Sequence, residues 1–167
     1  DWCGFATVAA AVAELNGIVH TELLSAGVPV FNVRPSASAY CHDGKLIRLA
    51  SEPIKSAIDS GLTPLLHGDV AFDETRGGTI ISTEMILGFL SDSLPPDEVL
   101  LAGIAPGVLR SHPRGSIIPK ITPQTFPEYA AGAAFSDAPD VTGGMKGKVA
   151  EMLALVQNSP DTTVRIF

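Results

Sequence analysis

Cysteine is scarce in this sequence. Cys3 and Cys41 are the only two, and neither sits in a metal-type spacing. A reducing, cytoplasmic location fits that usage. Charge is scarce as well: 17% of residues are charged and 46% are hydrophobic. That balance excludes a disordered chain and suits a folded α/β protein. Basic residues are the scarcer kind, 11 against 18 acids, for a net charge of −7. Broad electrostatic binding to nucleic acid or to an anionic membrane is therefore not expected, which leaves room only for a local basic pocket. No uninterrupted run of ~18 apolar residues occurs, so no bilayer span is expected. FATVAAAVAEL, near the start, lacks a basic leader and reads as an amphipathic helix rather than a signal peptide.

Several catalytic signatures are missing. There is no G-x-x-x-x-G-K-[ST] loop and no G-x-G-x-x-G fingerprint. A nucleophile elbow and a serine-triad pattern are absent too. The four histidines, His20, His42, His67 and His112, do not pair at ligand spacing, and no metal-ligating set is expected. His42 reads as a surface residue of a turn. Any phosphate chemistry must use another scaffold.

What is present is an alternation of strand and helix signals over 167 residues, enough for one domain with its own core. Val8, Val12, Leu15, Val19 and Leu23 recur at helical spacing over 7–25, and Gly27 follows as a C-cap residue. VPVFNV (28–33) predicts a buried parallel strand. AYCHDGKLIRL predicts a hairpin turning at Asp43-Gly44. SEPIKSAIDSGL predicts a helix capped by Ser51 and ended at Gly61. Residues 63–72 predict one strand, and TII another after the turn DETRGG. A helix is expected over 82–94, a strand in DEVLLAG, a short strand in IIPKIT, a helix from GGMKGKV onward and a last strand in TTVRIF. This order predicts a mostly parallel sheet covered on both faces, a three-layer α/β/α sandwich. No repeat or linker interrupts it, so a single domain over 1–167 is expected.

In such sheets ligands sit at the carboxyl ends of strands. Polar and glycine clusters fall at those ends here. DVTGGMKGKV (140–149) places Gly143 and Gly144 where a helix begins. The first N–H groups of a helix lack internal partners and attract anions, and glycine lets a bulky phosphate approach. Lys148 follows Gly144 by four residues, so its ammonium lies one turn on and reaches the same anion. Asp140 is placed to hold that lysine or to help bind a metal. Taken alone, the spacing favours a plain glycine-rich loop with a surface lysine, since glycine pairs before helices are common. Asp69, in HGDVAFD, is either a strand-end turn acid or a group that orients a lysine or a hydrated Mg²⁺. ISTE (81–84) is either a simple N-cap or a phosphate site.

The ordered set AGVPVFNVRPS, LLHGDVAFD, TIISTE, VLLAGIAPGV, DVTGGMKGKV and VRIF resembles the amino-acid kinase superfamily, and within it the isopentenyl phosphate kinase family. The resemblance covers nearly the whole chain. It implies an α/β/α fold that moves the γ-phosphate of ATP, with Mg²⁺, onto isopentenyl phosphate to give isopentenyl diphosphate. It implies ATP contacts at Ile104, Gly107, Asp140, Gly143, Gly144 and Lys148, with Lys148 neutralising the transferring phosphoryl group. It implies that Gly68, Asp69 and Thr83 serve the acceptor, Thr83 beside its phosphate. The partners implied are a small phosphorylated acceptor and, in the assembly, a second copy in a homodimer.

The chain departs from that pattern in three places. It holds neither of the family's two N-terminal glycine-rich loops, the second of which carries a histidine for the acceptor phosphate. It ends at VRIF, before the family's final strands. It carries Pro106-Gly107-Val108 where relatives often have Asp-Gly-Val. A start at Asp1 close to a helix and an end on a strand lead to the expectation of a longer protein, and of an inactive 167-residue piece. Ile54, Ile58, Ile80, Ile81 and Met85 are candidates for an apolar slot around a prenyl tail, or plain core. Two rivals stand beside the kinase reading: a sister kinase of another small acidic acceptor, and a superfamily member that binds nucleotide without catalysis.

Overall fold

The computed structural model describes residues 1–111, 115–132 and 144–167. They form two compact units, Asp1–Ser93 and Leu94–Phe167. Asp140 and Gly143 lie outside the described residues.

The first unit opens with α1 (Trp2–Ser25). It begins earlier than the apolar spacing predicted, because the Asp1 carboxylate accepts from Cys3 N–H at 2.9 Å and caps the helix. It ends as predicted, with Gly27 at φ +83°. Among its residues only Asn16 is buried. By length and composition α1 is apolar enough to cross a membrane, contrary to the expectation of no span, because its apolar residues add up although Glu14 and other polar residues break them into shorter runs. Its first turn packs on the sheet that follows it: Trp2, Phe5 and Phe72 form a ring cluster with centroids 5.4–5.9 Å apart.

Strand β1 (Val30–Asn32) pairs in parallel with β4 (Thr63–Leu65). It is half-exposed rather than buried as expected, because β4 is its only paired neighbour among the described strands. A short 3-10 turn, Pro35–Ala37, leads into the predicted hairpin, β2 (Tyr40–His42) and β3 (Lys45–Arg48). Asp43 and Gly44 both take positive φ there, +46° and +78°, as a two-residue hairpin turn requires. Helix α2 (Glu52–Asp59) follows; Ser51 holds the cap position, but its side chain makes no capping bond. The single strand predicted over 63–72 is two strands. The chain leaves β4 at Leu65 and enters a different sheet as β5 (Asp69–Asp73), so residues 66–68 carry it across. β5 pairs in parallel with β2 and antiparallel with β6 (Gly77–Ile81). Helix α3 (Thr83–Ser91) closes the unit, with Ser82 Oγ accepting from Met85 N–H at 3.1 Å. Cys41, Ile54, Val70, Ile81 and Ile86 are the core. Burying a side chain of the size of Ile81 contributes about 1.5–3 kcal/mol.

The second unit holds β7 (Glu98–Leu101) paired in parallel with β8 (Thr163–Ile166). Helix α5 (Gly144–Asn158) buries Val149, Met152 and Leu155, three residues on one helical face. IIPKIT is not a strand: among the described residues it makes one bridge, Leu109 to Ile117. A short helix for which the sequence carried no expectation, α4 (Phe126–Gly132), follows. The architecture is α/β as predicted, although parallel and antiparallel pairs mix in the four-stranded sheet.

Candidate active site

In the first unit the structure brings Gly68, Asp69 and Thr83 to one corner. The β5–β6 ladder sets Asp69 across from Ile81. Gly68 lies so close to the neighbouring chain that a Cβ there would stand 3.1 Å from Ile81 O and 3.6 Å from Thr83 N. That approach is the physical reason for glycine. Thr83 is the first residue of α3 and is exposed, and the first N–H groups of a helix have no partner within it. Its Oγ1 lies 3.3 Å from Glu84 Oε2.

Asp69 is 1% exposed. One carboxylate oxygen accepts from Ser36 N–H at 3.0 Å and the other from Val70 N–H at 2.8 Å. It therefore ties the 35–37 turn to the start of β5. Both oxygens serve the backbone, which does not fit the expectation of a hydrated Mg²⁺ ligand. Among the described residues no cluster of three His, Cys, Asp or Glu side chains is placed to hold a metal ion.

Two residues of this corner escaped the sequence reading. Ser36 gave no signal, since its contribution is a backbone N–H. His67 precedes Gly68, and its Nδ1 lies 2.9 Å from Gly68 O. Its Nε2 is buried without a partner among the described residues. The order His-Gly-Asp at a strand end was visible, but only the structure shows the orphaned nitrogen.

In the second unit Gly144 is the buried first residue of α5, with φ +60°. Lys148 follows on the same helical face one turn along and is half-buried, whereas Lys146 is exposed. Ile104 stands fully exposed at the tip of its loop. Gly107 takes φ +136°, and a Cβ there would meet Ile117 Cγ2 at 3.3 Å and Ile166 O at 3.4 Å. Its glycine is thus explained by packing against β8. A cavity of about 670 Å³ runs along α5, lined by apolar residues such as Val149, Met152 and Ile166 and by Lys120, Thr162 and Arg165 among others. Neither Gly144 nor Lys148 lines it, so it is distinct from the helix terminus.

The proposed prenyl slot divides. Ile54 and Ile81 are core, at 2% and 0% exposure, while Ile58 and Ile80 are about half exposed. His42 is a surface residue as expected, its Nδ1 3.0 Å from Glu74 Oε2.

Strand ends and helix starts of this kind are where α/β scaffolds place their ligands, and a helix start suits an anion. The model of the amino acid kinase family matches residues 1–167, and the chain belongs to that family. It is 38% identical over 156 residues to an isopentenyl phosphate kinase of Haloferax volcanii, covering 93% of this chain and 61% of that protein. It is 30% identical over 167 residues to one of Methanothermobacter thermautotrophicus, covering 96% and 62%. The chain thus spans a little over three-fifths of the length of these relatives. A solved isopentenyl phosphate kinase superposes with a TM-score of 0.75 at 28% identity, over 98% of this chain and 60% of that one. A T. acidophilum isopentenyl phosphate kinase product complex superposes at 0.69 and 22% identity, over 99% and 62%, which supports the fold alone.

Proposed function

We propose that the protein carrying this chain transfers the γ-phosphate of ATP to isopentenyl phosphate, giving isopentenyl diphosphate. Family membership over 1–167 and relatives that bear this kinase's name support the reading. The observation that carries it is the start of α5, where Gly144 and Lys148 share a face one turn apart. Phosphoryl transfer demands mainly positioning and charge stabilisation, which a lysine and helix N-termini supply. In this reading Lys148 stabilises the transferring group, with Gly144 and Gly143 admitting the ATP phosphates. Ile104, Gly107 and Asp140 belong to the nucleotide side. Gly68 and Thr83 serve the acceptor, and Asp69 holds their corner together. Magnesium is proposed as the companion of the ATP phosphates.

Residues 1–167 are proposed to act as one domain within the longer relatives' plan. Cytoplasmic location is proposed from the two free thiols. A homodimer is proposed too, with exposed Leu15, Ile18 and Leu24 on α1 as apolar surface for it. Fractionation and light scattering test these.

The test of function is a coupled ADP assay of the full-length protein with isopentenyl phosphate and, separately, a polar phosphomonoester. Preference for isopentenyl phosphate is expected. Preference for the polar acceptor would move the assignment to a sister kinase. Pro106, in the position where the resemblance calls for an acid, favours a second reading, nucleotide binding without turnover. ATP binding with no ADP release would support that one.

A further inference from the structure

We draw no further inference here: the strongest candidate, the cavity along α5 lined by Val149, Met152, Ile166, Lys120 and Arg165, carries none, because nothing in the structure shows what covers it.

Discussion

The backbone N–H of Gly44 donates to Asp73 Oδ2 at 2.7 Å, joining the β2–β3 turn to the end of β5. The other oxygen of Asp73 accepts from Thr75 and Arg76 N–H at 2.9 and 2.8 Å. Arg76 reaches back to Asp43 at 3.0 Å. One carboxylate therefore fastens two turns to each other. Burial by itself would raise its pKa. The N–H bonds from Arg76, Gly44 and Thr75, with the Arg76 charge, outweigh burial and hold the carboxyl below its ordinary value.

The first prediction concerns acid. Because the folded-state pKa of Asp73 is depressed, its stabilisation is present above the unfolded carboxyl value of about 3.9 and is lost as pH falls through the folded value. Asp73→Asn should lower the melting temperature at neutral pH and flatten its decline toward acid. Thermal melts between neutral and acid pH check this. An unchanged acid profile would show that the bond to Gly44 contributes nothing to that decline.

Lys148→Ala in the full-length protein should lower kcat by roughly 10²-fold or more, the scale of losing one preorganised charge contact. ATP binding should fall less, since an ammonium in a partly dry site acts mostly on the transition state. Lys148→Arg should rescue poorly, because a planar fork does not replace a compact ammonium. Lys146→Ala is the control, as that residue is exposed and points elsewhere on α5. Normal turnover by Lys148→Ala would end the phosphate reading of this helix.

Gly107→Ala should destabilise the protein by about 1–3 kcal/mol, since φ +136° strains an L side chain and the new methyl meets Ile117 and Ile166 O. Denaturant unfolding measures it. A loss of ATP affinity with stability intact would instead mark Gly107 as a nucleotide contact.

Ile54→Ala and Ile81→Ala should each cost about 2–5 kcal/mol, as core truncations do. Ile58→Ala and Ile80→Ala should stay within about 0.5 kcal/mol, as exposed changes do. Loss of selectivity for the prenyl acceptor in these two stable variants would assign them to its binding. Unchanged selectivity would leave them as surface.

Asp43-Gly44 and the alternating strand and helix signals were legible because each rests on local geometry. A two-residue turn needs positive φ, and glycine tolerates it wherever it occurs. The same holds for Ser82, whose capping bond spans only three residues. The division of 63–72 into β4 and β5 was not legible, because Leu66, His67 and Gly68 change sheets without a proline or a turn-forming pair to mark the break. IIPKIT misled for a related reason. Its β-formers find only one bridge at Leu109 among the described residues, and propensity without a partner strand makes no ladder.

The candidate site divides along the same line. The glycines and Lys148 could be proposed from the sequence by itself, because helix spacing determines which side chains share a face. Local patterning likewise determined the α/β class and the helix-start corners. Tertiary structure decided what each polar group does. It turned both oxygens of Asp69 to Ser36 and Val70, and it left Nε2 of His67 buried without a partner among the described residues. It also sent Ile54 and Ile81 to the core while Ile58 and Ile80 stayed at the surface. The physical reason is range: caps, turns and helical faces are settled within a few residues. Burial and the satisfaction of a hydrogen bond depend on atoms that the chain brings back from far away, as Ser36 is brought to Asp69.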